Sequence, residues 1–179
     1  MLDLDRLGQV TSARFISSPN CDERPDEASL ELLVLHNISL PPNEFGGEAV
    51  TQFFTNRLDF NAHPYYQELK GLKVSAHFFI RRDGEIIQFV PCAKRAWHAG
   101  VSRWGGRERC NDFSIGVELE GGDLVPFTEA QYQSLVELTI SLKKYYPLED
   151  IVGHSDIAPD RKTDPGPFFD WQKFQSLLK

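Results

Sequence analysis

The run Leu32-Leu33-Val34-Leu35, followed at once by the polar His36 and Asn37, constrains the fold more than any other segment of the chain. Four apolar residues without polar alternation are typical of a strand that is buried on both faces. Such strands lie inside sheets that are covered by helices, so the run predicts the middle of a layered α/β domain. The strand is expected to end at His36 and Asn37.

Apolar patterns elsewhere in the chain predict the remaining strands. Residues 77–80 and 86–90 flank Asp83-Gly84, which is a strong signal for a hairpin with a type I′ turn. Residues 113–119 alternate between apolar and small or polar side chains, which predicts a strand with one face in the core and the other on a cleft. Residues 151–153 predict a short strand.

Three helices are predicted from the helical spacing of apolar residues. The first follows the loop 41–47, and its apolar residues are Val50, Phe53, Phe54 and Leu58. Thr128 and Gln131 form a capping box at the start of a long helix that ends near Tyr146. Asp170 caps the last helix. The apolar face of that helix consists of Trp171, Phe174 and Leu177.

These elements predict one domain over residues 1–179, with its core at about 30–178, since no repeat, low-complexity tract or linker divides the chain. The expected fold class is α/β (α+β), with a central mixed sheet flanked by helices. A hydrophobic share of 41% suits a globular domain.

Charge and cysteine content exclude several classes of protein. The net charge of −7 argues against nucleic acid or an anionic membrane as the main partner, and no obligate protein partner is evident. Cys21, Cys92 and Cys110 are odd in number and lack C-x-x-C spacing, so all three are expected to be reduced. No apolar run reaches the roughly 18–20 residues of a membrane span, and residues 1–6 lack a signal-peptide pattern, so a cytoplasmic location is expected.

Two histidines directly follow predicted strands: His36 follows the first and His154 the last. Open α/β sheets commonly build their sites at the carboxyl ends of strands. With Asp164 as third ligand, two nitrogens and one carboxylate oxygen make a catalytic type of zinc set, with a fourth position for water. The residues alone leave alternatives open, because strand-ending histidines are often packed or surface residues and Asp164 before Pro165 also suits a turn.

Glu118 and Lys162 are expected beside this site. Glu118 lies on the strand face opposite the apolar positions, where a carboxylate can face a cleft. Pro165 favours extended backbone at Asp164, which would turn Lys162 and Asp164 to the same side of their loop. The alternatives are that Lys162 is a solvated loop charge and that Glu118 or Glu120 marks an exposed strand face.

Five ordered segments carry a family resemblance. They are Leu35-His36-Asn37-Ile38-Ser39, Ser75-Ala76-His77-Phe78, Arg95 to Ser102 (RAWHAGVS), Asn111 to Gly121 (NDFSIGVELEG) and Gly153 to Gly166 (GHSDIAPDRKTDPG). In these segments the chain resembles the AmpD-type amidases, the cytosolic 1,6-anhydro-N-acetylmuramyl-L-alanine amidases of bacterial cell-wall recycling. The resemblance implies a mixed sheet flanked by helices, shared with phage amidase-type lysozymes and peptidoglycan recognition proteins. It also implies Zn²⁺ held by His36, His154 and Asp164.

The resemblance further implies hydrolysis of the amide between a muramyl sugar and L-alanine, with a small-molecule muropeptide as substrate and Glu118 and Lys162 as the catalytic pair. In this reaction Glu118 accepts the proton of the attacking water and later delivers it to the departing nitrogen. Lys162 stabilises the oxyanion of the tetrahedral intermediate. Binding of a substrate carboxylate is the alternative role of Lys162.

Four residues are candidates for contact with this substrate. The resemblance brings the hydroxyl of Tyr65 near the metal, while a buried aromatic is the alternative interpretation. Trp97 can stack on the sugar, or it is an ordinary core residue. Asn37 and Arg109 can hydrogen-bond the acetamido group or the peptide carboxylates.

Two rival functions share the expected fold. A phage-type lysin would act on intact peptidoglycan, but no export signal or wall-binding module is evident. A non-catalytic muropeptide-binding module would lack a zinc ligand, whereas all three apparent ligands are present here together with Glu118 and Lys162.

Overall fold

The computed structural model describes residues 1–26 and 28–179. In it the buried apolar run lies inside a six-stranded mixed sheet, next to one of the two edge strands. In chain order the strands are β1 (Arg14–Phe15), β2 (Cys21–Glu23), β3 (Leu32–Ile38), β4 (Phe78–Ile80), β5 (Ile86–Gln88), β6 (Lys94–Ala96), β7 (Arg103–Trp104), β8 (Arg107–Glu108), β9 (Ser114–Glu120) and β10 (Asp150–Gly153). The large sheet has the order β1-β5-β4-β9-β3-β10, and its only antiparallel neighbours among the described residues are β4 and β5. Strands β2 and β6, and β7 and β8, form two small antiparallel pairs.

Helices cover the sheet. They are α1 (Ala49–Phe54), α2 (Glu129–Tyr145), α3 (His154–Ile157) and α4 (Trp171–Leu177), with 3₁₀ turns at Pro64–Leu69 and Cys110–Asp112. One face packs on α2 and α4 through a core cluster that includes Leu33, Leu35, Val117, Leu138 and Phe174. The predicted class, a mixed sheet flanked by helices, is confirmed.

Both predicted helix caps are present. The hydroxyl of Thr128 accepts the backbone N–H of Gln131 at 3.1 Å, and the Gln131 side chain accepts the Thr128 N–H at 3.1 Å. Asp170 accepts the backbone N–H of Lys173 at 2.9 Å. These bonds satisfy donors that the first turn of a helix leaves free, so α2 and α4 begin where the sequence predicts.

The predicted end of the first strand was wrong. Strand β3 continues through His36 and Asn37 to Ile38, because β9 pairs with it along its whole length, with His36 opposite Glu118. The alternative that Glu118 or Glu120 marks an exposed strand face is also wrong, since both are buried.

Three smaller expectations were also wrong: the type I′ turn, the inclusion of Leu58 in the first helix, and the place of Leu177 in the apolar face of the last helix. Gly84 has φ +89° but Asp83 is not in the left-handed region, and the N–H of Arg81 donates to the carbonyl of Glu85. The hairpin loop therefore has three residues, whereas a type I′ turn needs positive φ at both of its two central residues. Helix α1 ends before Leu58, although Leu58 is buried, and Leu177 is 45% exposed on α4.

Candidate metal centre

Strand register brings His36, Glu118 and His154 to one level of the sheet. His36 on β3 is opposite Glu118 on β9, and Leu35 is opposite Gly153 on β10, so His154 follows at the level of His36. Residues at one level of neighbouring parallel strands project from the same face. His36, Glu118 and His154 all project from the face of the sheet that is turned away from α2. The reason is that Leu35, which directly precedes His36 and points to the opposite face, packs towards α2.

His36, His154 and Asp164 meet in a nearly equilateral triangle of ligand atoms. The Nδ1 atoms of the two histidines are 2.9 Å apart, and each lies 3.0 Å from Asp164 Oδ2. Ligand atoms at zinc distances of about 2.0–2.2 Å from a tetrahedral ion stand roughly 3.3–3.6 Å apart, so the triangle needs to open by only a few tenths of an ångström. The donor set and its spacing therefore fit zinc.

Asp164 reaches the triangle from the loop after α3. The N–H of Ser155 donates to the backbone carbonyl of Asp164 at 2.9 Å, and the Asn37 side chain donates to the carbonyl of Pro165 at 3.1 Å. The loop is thus fixed to α3 on one side and to β3 on the other, which holds the carboxylate against the two imidazoles.

His36 and Asp164 have the protonation states that a metal site requires. Burial lowers the pKa of His36 to about 4, so this imidazole is neutral at physiological pH. Burial alone raises the pKa of Asp164, but hydrogen bonds with His154 and His36 outweigh it and hold the pKa well below its usual value. Neutral imidazole and ionised carboxylate are the forms that bind metal ions.

Each histidine is held by its outer ring nitrogen. His154 Nε2 lies 3.0 Å from the carbonyl oxygen of Ala99, and His36 Nε2 lies 2.9 Å from Nδ1 of His98. Metal-binding histidines usually make such a bond with the nitrogen that does not face the metal. The inner Nδ1 atoms are therefore the ones available for ligation.

Glu118 stands beside the triangle as a buried carboxyl group. Its Oε1 lies 4.0 Å from His36 Nδ1, and its buried Oε2 has no hydrogen-bond partner within residues 1–26 and 28–179. Burial, together with the negative charge of Asp164, raises the pKa of Glu118 well above its ordinary value, and the charge of Lys162 partly opposes this. An unpartnered buried oxygen is costly unless a water or ligand group fills its place, which is how a proton acceptor facing a substrate is built.

Lys162 is half-buried in the same loop as Asp164. Its charge contributes to lowering the pKa of both His36 and Glu118, so the ammonium lies near these groups. Among the described residues it forms no ion pair, which leaves its charge available to a substrate.

Trp97 directly precedes His98, and Arg109 precedes the 3₁₀ turn Cys110–Asp112. Arg109 has φ +60°, and its guanidinium, 69% exposed, is held by Asp112 at 3.1 Å. It lines an open groove of about 830 Å³ between loops 100–109 and 156–161. Trp97 is half-buried, which does not support its interpretation as an ordinary core residue.

Asn37 and Tyr65 are less directly placed for substrate contact. The side-chain NH₂ of Asn37 donates to Asp123 Oδ1 at 2.7 Å and to the carbonyl of Pro165, so its own carbonyl oxygen is the group left for a ligand. Tyr65 is half-buried in the 3₁₀ turn and packs on the cluster around α1. No hydrogen bond among the described residues joins its hydroxyl to the triangle.

Sequence reasoning missed three residues that support the centre. His98 holds His36, and Asn111 Oδ1 accepts the backbone N–H groups of His98 and Ala99 at 3.1 and 2.8 Å. Arg161 donates to the carbonyls of Ala99 and Val101, both at 2.8 Å, and so ties the two loops that border the groove. All three lie in segments that carry the resemblance, but only the folded chain shows which atoms they hold.

A mixed sheet that brings two histidines, an aspartate and a buried glutamate together at one end is the arrangement of an α/β enzyme with a candidate metal site. The N-acetylmuramoyl-L-alanine amidase family matches residues 26–167, and the chain belongs to this family. The predicted family and the prediction of an amidase are thereby confirmed.

Individual relatives agree with this assignment over nearly the full chain. The 1,6-anhydro-N-acetylmuramyl-L-alanine amidase AmpD of Escherichia coli K12 is 57% identical over 173 residues, which cover 96% of this chain and 94% of that protein. A crystal structure of a selenomethionine derivative of AmpD matches with a TM-score of 0.96 and 56% identity, over the whole of both chains. The E. coli amidase AmiD, solved with the substrate anhydro-N-acetylmuramic acid-L-Ala-D-γ-Glu-L-Lys, has a TM-score of 0.62 and 31% identity, over 87% of this chain and 60% of that one.

None of the helices in the described part of the chain has the length and apolar character to cross a bilayer.

Proposed function

We propose that this chain is a zinc-dependent amidase that cleaves the bond between 1,6-anhydro-N-acetylmuramic acid and L-alanine in muropeptides, in the cytoplasm, as a step of peptidoglycan recycling. The observation that carries the proposal is the 2.9–3.0 Å triangle of His36, His154 and Asp164 beside the unpartnered carboxyl group of Glu118. The names of the full-length relatives support the anhydro sugar as the substrate.

His36, His154 and Asp164 would hold the zinc ion. When bound, zinc supplies Lewis-acid chemistry, which polarises a carbonyl group and lowers the pKa of water to about 7. Two imidazoles and one carboxylate would only partly neutralise a divalent ion, so the loaded site would keep a net positive charge that favours an oxygen anion over its protonated form.

Glu118 is suited to move the proton of the reaction. Its raised pKa makes the carboxylate a stronger base than an exposed glutamate, and its Oε2, which has no hydrogen-bond partner among the described residues, is free to accept a proton. The proton it accepts is the one that the departing L-alanine nitrogen needs, because an amine leaves an amide only when protonated.

Lys162 is suited to stabilise the negative charge that develops on the carbonyl oxygen. Its ammonium lies close enough to influence both His36 and Glu118, and no internal carboxylate neutralises it among the described residues. A fixed positive charge aimed at an oxyanion in a site with little water contributes chiefly to the transition state.

The groove between loops 100–109 and 156–161 is suited to part of a muropeptide. The exposed Arg109 offers a guanidinium for a peptide carboxylate, and Trp97 offers an apolar face for the sugar. The free carbonyl of Asn37 can accept the N–H of an acetamido group. The hydroxyl of Tyr65 can orient the substrate once its side chain turns from the cluster around α1 towards the site.

The proposal is tested by mass spectrometry of the products from a defined anhydro-muropeptide. The expected products are the anhydro sugar and the free peptide, formed by the untreated enzyme, lost in chelator and regained on adding zinc. Full activity in a preparation measured to be metal-free would refute the zinc mechanism.

Intact sacculi provide the discriminating substrate. We expect much slower release of peptide from sacculi than from the anhydro-muropeptide. Equal or faster cleavage of sacculi would favour a phage-type lysin, and binding of muropeptide without any cleavage at full zinc occupancy would favour a non-catalytic module.

A further inference from the structure

Consecutive residues, His98 and Ala99, hold the outer nitrogens of the two histidines in the triangle. His154 Nε2 lies 3.0 Å from the carbonyl oxygen of Ala99, which can only accept, so this nitrogen carries the ring proton. His36 Nε2 lies 2.9 Å from Nδ1 of His98, which can donate or accept according to its tautomer. The position of the proton on His36 therefore depends on His98.

We propose, on the basis of the zinc site described above, that His98 is a positioning residue that keeps the proton of His36 on Nε2 and leaves the Nδ1 lone pair for the metal. The hydrogen bonds then run in one direction. His36 Nε2–H donates to His98 Nδ1, and His98 Nε2–H donates to Ser114 Oγ, which lies 3.1 Å away. A hydrogen bond of this kind fixes both the tautomer and the ring plane of a metal ligand.

The surroundings of His98 hold its ring in the orientation that this role needs. A Cβ at Gly116 would stand 2.5 Å from His98 Cγ and Nδ1, so the glycine makes room for the ring against the sheet. The ring of His36 meets it edge-on, with centroids 5.1 Å apart and planes at 88°. Asn111 Oδ1 accepts the backbone N–H of His98 at 3.1 Å and so fixes its backbone.

One face of β9 supplies this support and the predicted proton acceptor together. Ser114, Gly116 and Glu118 occupy alternate positions of the strand and so share a face. The first binds the outer nitrogen of His98, the second accommodates its ring, and the third borders the triangle. The small and polar residues on this face therefore all serve the same candidate metal centre.

The zinc affinity of two variants at one position tests the proposal. His98→Leu fills similar space without an acceptor, whereas His98→Asn offers an amide oxygen close to the place of Nδ1. Zinc dissociation constants are measured for the full chain by competition with a chromophoric chelator. We expect His98→Leu to weaken zinc binding about 10–100-fold, the usual effect of losing such a partner, and His98→Asn to regain most of the loss.

Outcomes of this comparison separate positioning from packing. Melting curves of the metal-free proteins measure any loss of fold stability independently of zinc. A His98→Leu protein that binds zinc as tightly as the wild type would overturn the proposal, and so would equal weakening in both variants. If the wild type itself binds no zinc, the proposed function fails; if only the variants behave unexpectedly, the inference about His98 fails.

The unmodified chain provides a second test that does not depend on the folding of a variant. Long-range ¹⁵N–¹H correlation NMR of the zinc-loaded protein reports which ring nitrogen carries each proton. We expect protonated Nε2 on both His36 and His98. Protonation of Nδ1 on His98 would reverse the direction of the hydrogen bond and contradict the proposal.

Discussion

His36 and Glu118 are register partners on neighbouring parallel strands, and their side chains leave the sheet on the same face with Nδ1 and Oε1 4.0 Å apart. The sheet thus sets the distance between a candidate metal ligand and the candidate proton acceptor, with no loop between them. Because the tasks proposed for the two residues differ, substitutions can separate metal binding from catalysis.

Glu118→Gln is expected to lower kcat by about 10²–10⁴-fold, because the amide keeps the shape of the side chain but cannot accept the proton. Zinc content should stay at the wild-type value, since Glu118 is not one of the three triangle residues. Steady-state kinetics combined with metal analysis checks both statements. Near-normal turnover would assign the base to another residue.

Asp164→Ala is expected to reduce the zinc content of the purified protein, since it removes one corner of the triangle. Asp160→Ala is the matched control, because Asp160 is an exposed carboxylate of the same loop. Metal analysis of both variants after equal dialysis gives the answer. Unchanged zinc in Asp164→Ala would remove this residue from the ligand set.

Lys162→Met is expected to depress kcat by about 10²–10³-fold, as for a lost oxyanion donor, while preserving the length of the side chain. Lys143→Met, an exposed lysine on α2, is the control for loss of a positive charge. If Lys162 instead binds a substrate carboxylate, the main change will be a raised KM. Kinetics at equal zinc content distinguish the two roles.

Arg109→Ala is expected to raise KM for a peptide-bearing substrate about tenfold, equivalent to ~1.4 kcal/mol, with little change in kcat. The reason is that its exposed guanidinium lines the groove and does not touch the triangle. Arg14→Ala, on the opposite edge of the sheet, serves as control. A KM equal to the wild-type value would exclude Arg109 from substrate binding.

Thr128→Ala is expected to destabilise the fold by about 1 kcal/mol, because α2 loses its capping box. For a chain of this length the corresponding fall in Tm is about 2–4 °C. Thr128→Ser keeps the hydroxyl and should melt close to the wild type. Thermal unfolding of the two variants decides the point, and equal Tm values would show that the cap contributes little.

Elements with a strong local signal could be predicted from the sequence. The apolar run of β3, the alternation of β9 and the two capped helices each depend on residues that are near neighbours in the chain. The proximity of His36, Glu118 and His154 followed from the same patterns, since the register of parallel strands brings residues near their carboxyl ends together.

Features that depend on distant parts of the chain could not be predicted. Arg24 donates to the carbonyls of Cys92, Asn111, Asp112 and Ser114, at distances of 2.9–3.1 Å. Nothing near Arg24 in the sequence indicates these partners. The proposed role of His98 likewise depends on Ser114 and Gly116, which lie on β9. The length of the hairpin loop was missed because the last paired residues are Arg81 and Glu85, whereas a two-residue loop at Asp83-Gly84 would need Arg82 to pair with Glu85.

The long separation of the triangle residues along the chain links metal binding to folding. His36 is 118 residues from His154 and 128 from Asp164, so an unfolded chain rarely brings the three together. An ion bound in the triangle therefore acts as a cross-link between an N-terminal strand and a C-terminal loop that exists only in the native state. By mass action, free zinc at 100 times its Kd would add about 2.7 kcal/mol to the free energy of unfolding, which makes resistance to heat a direct measure of metal occupancy.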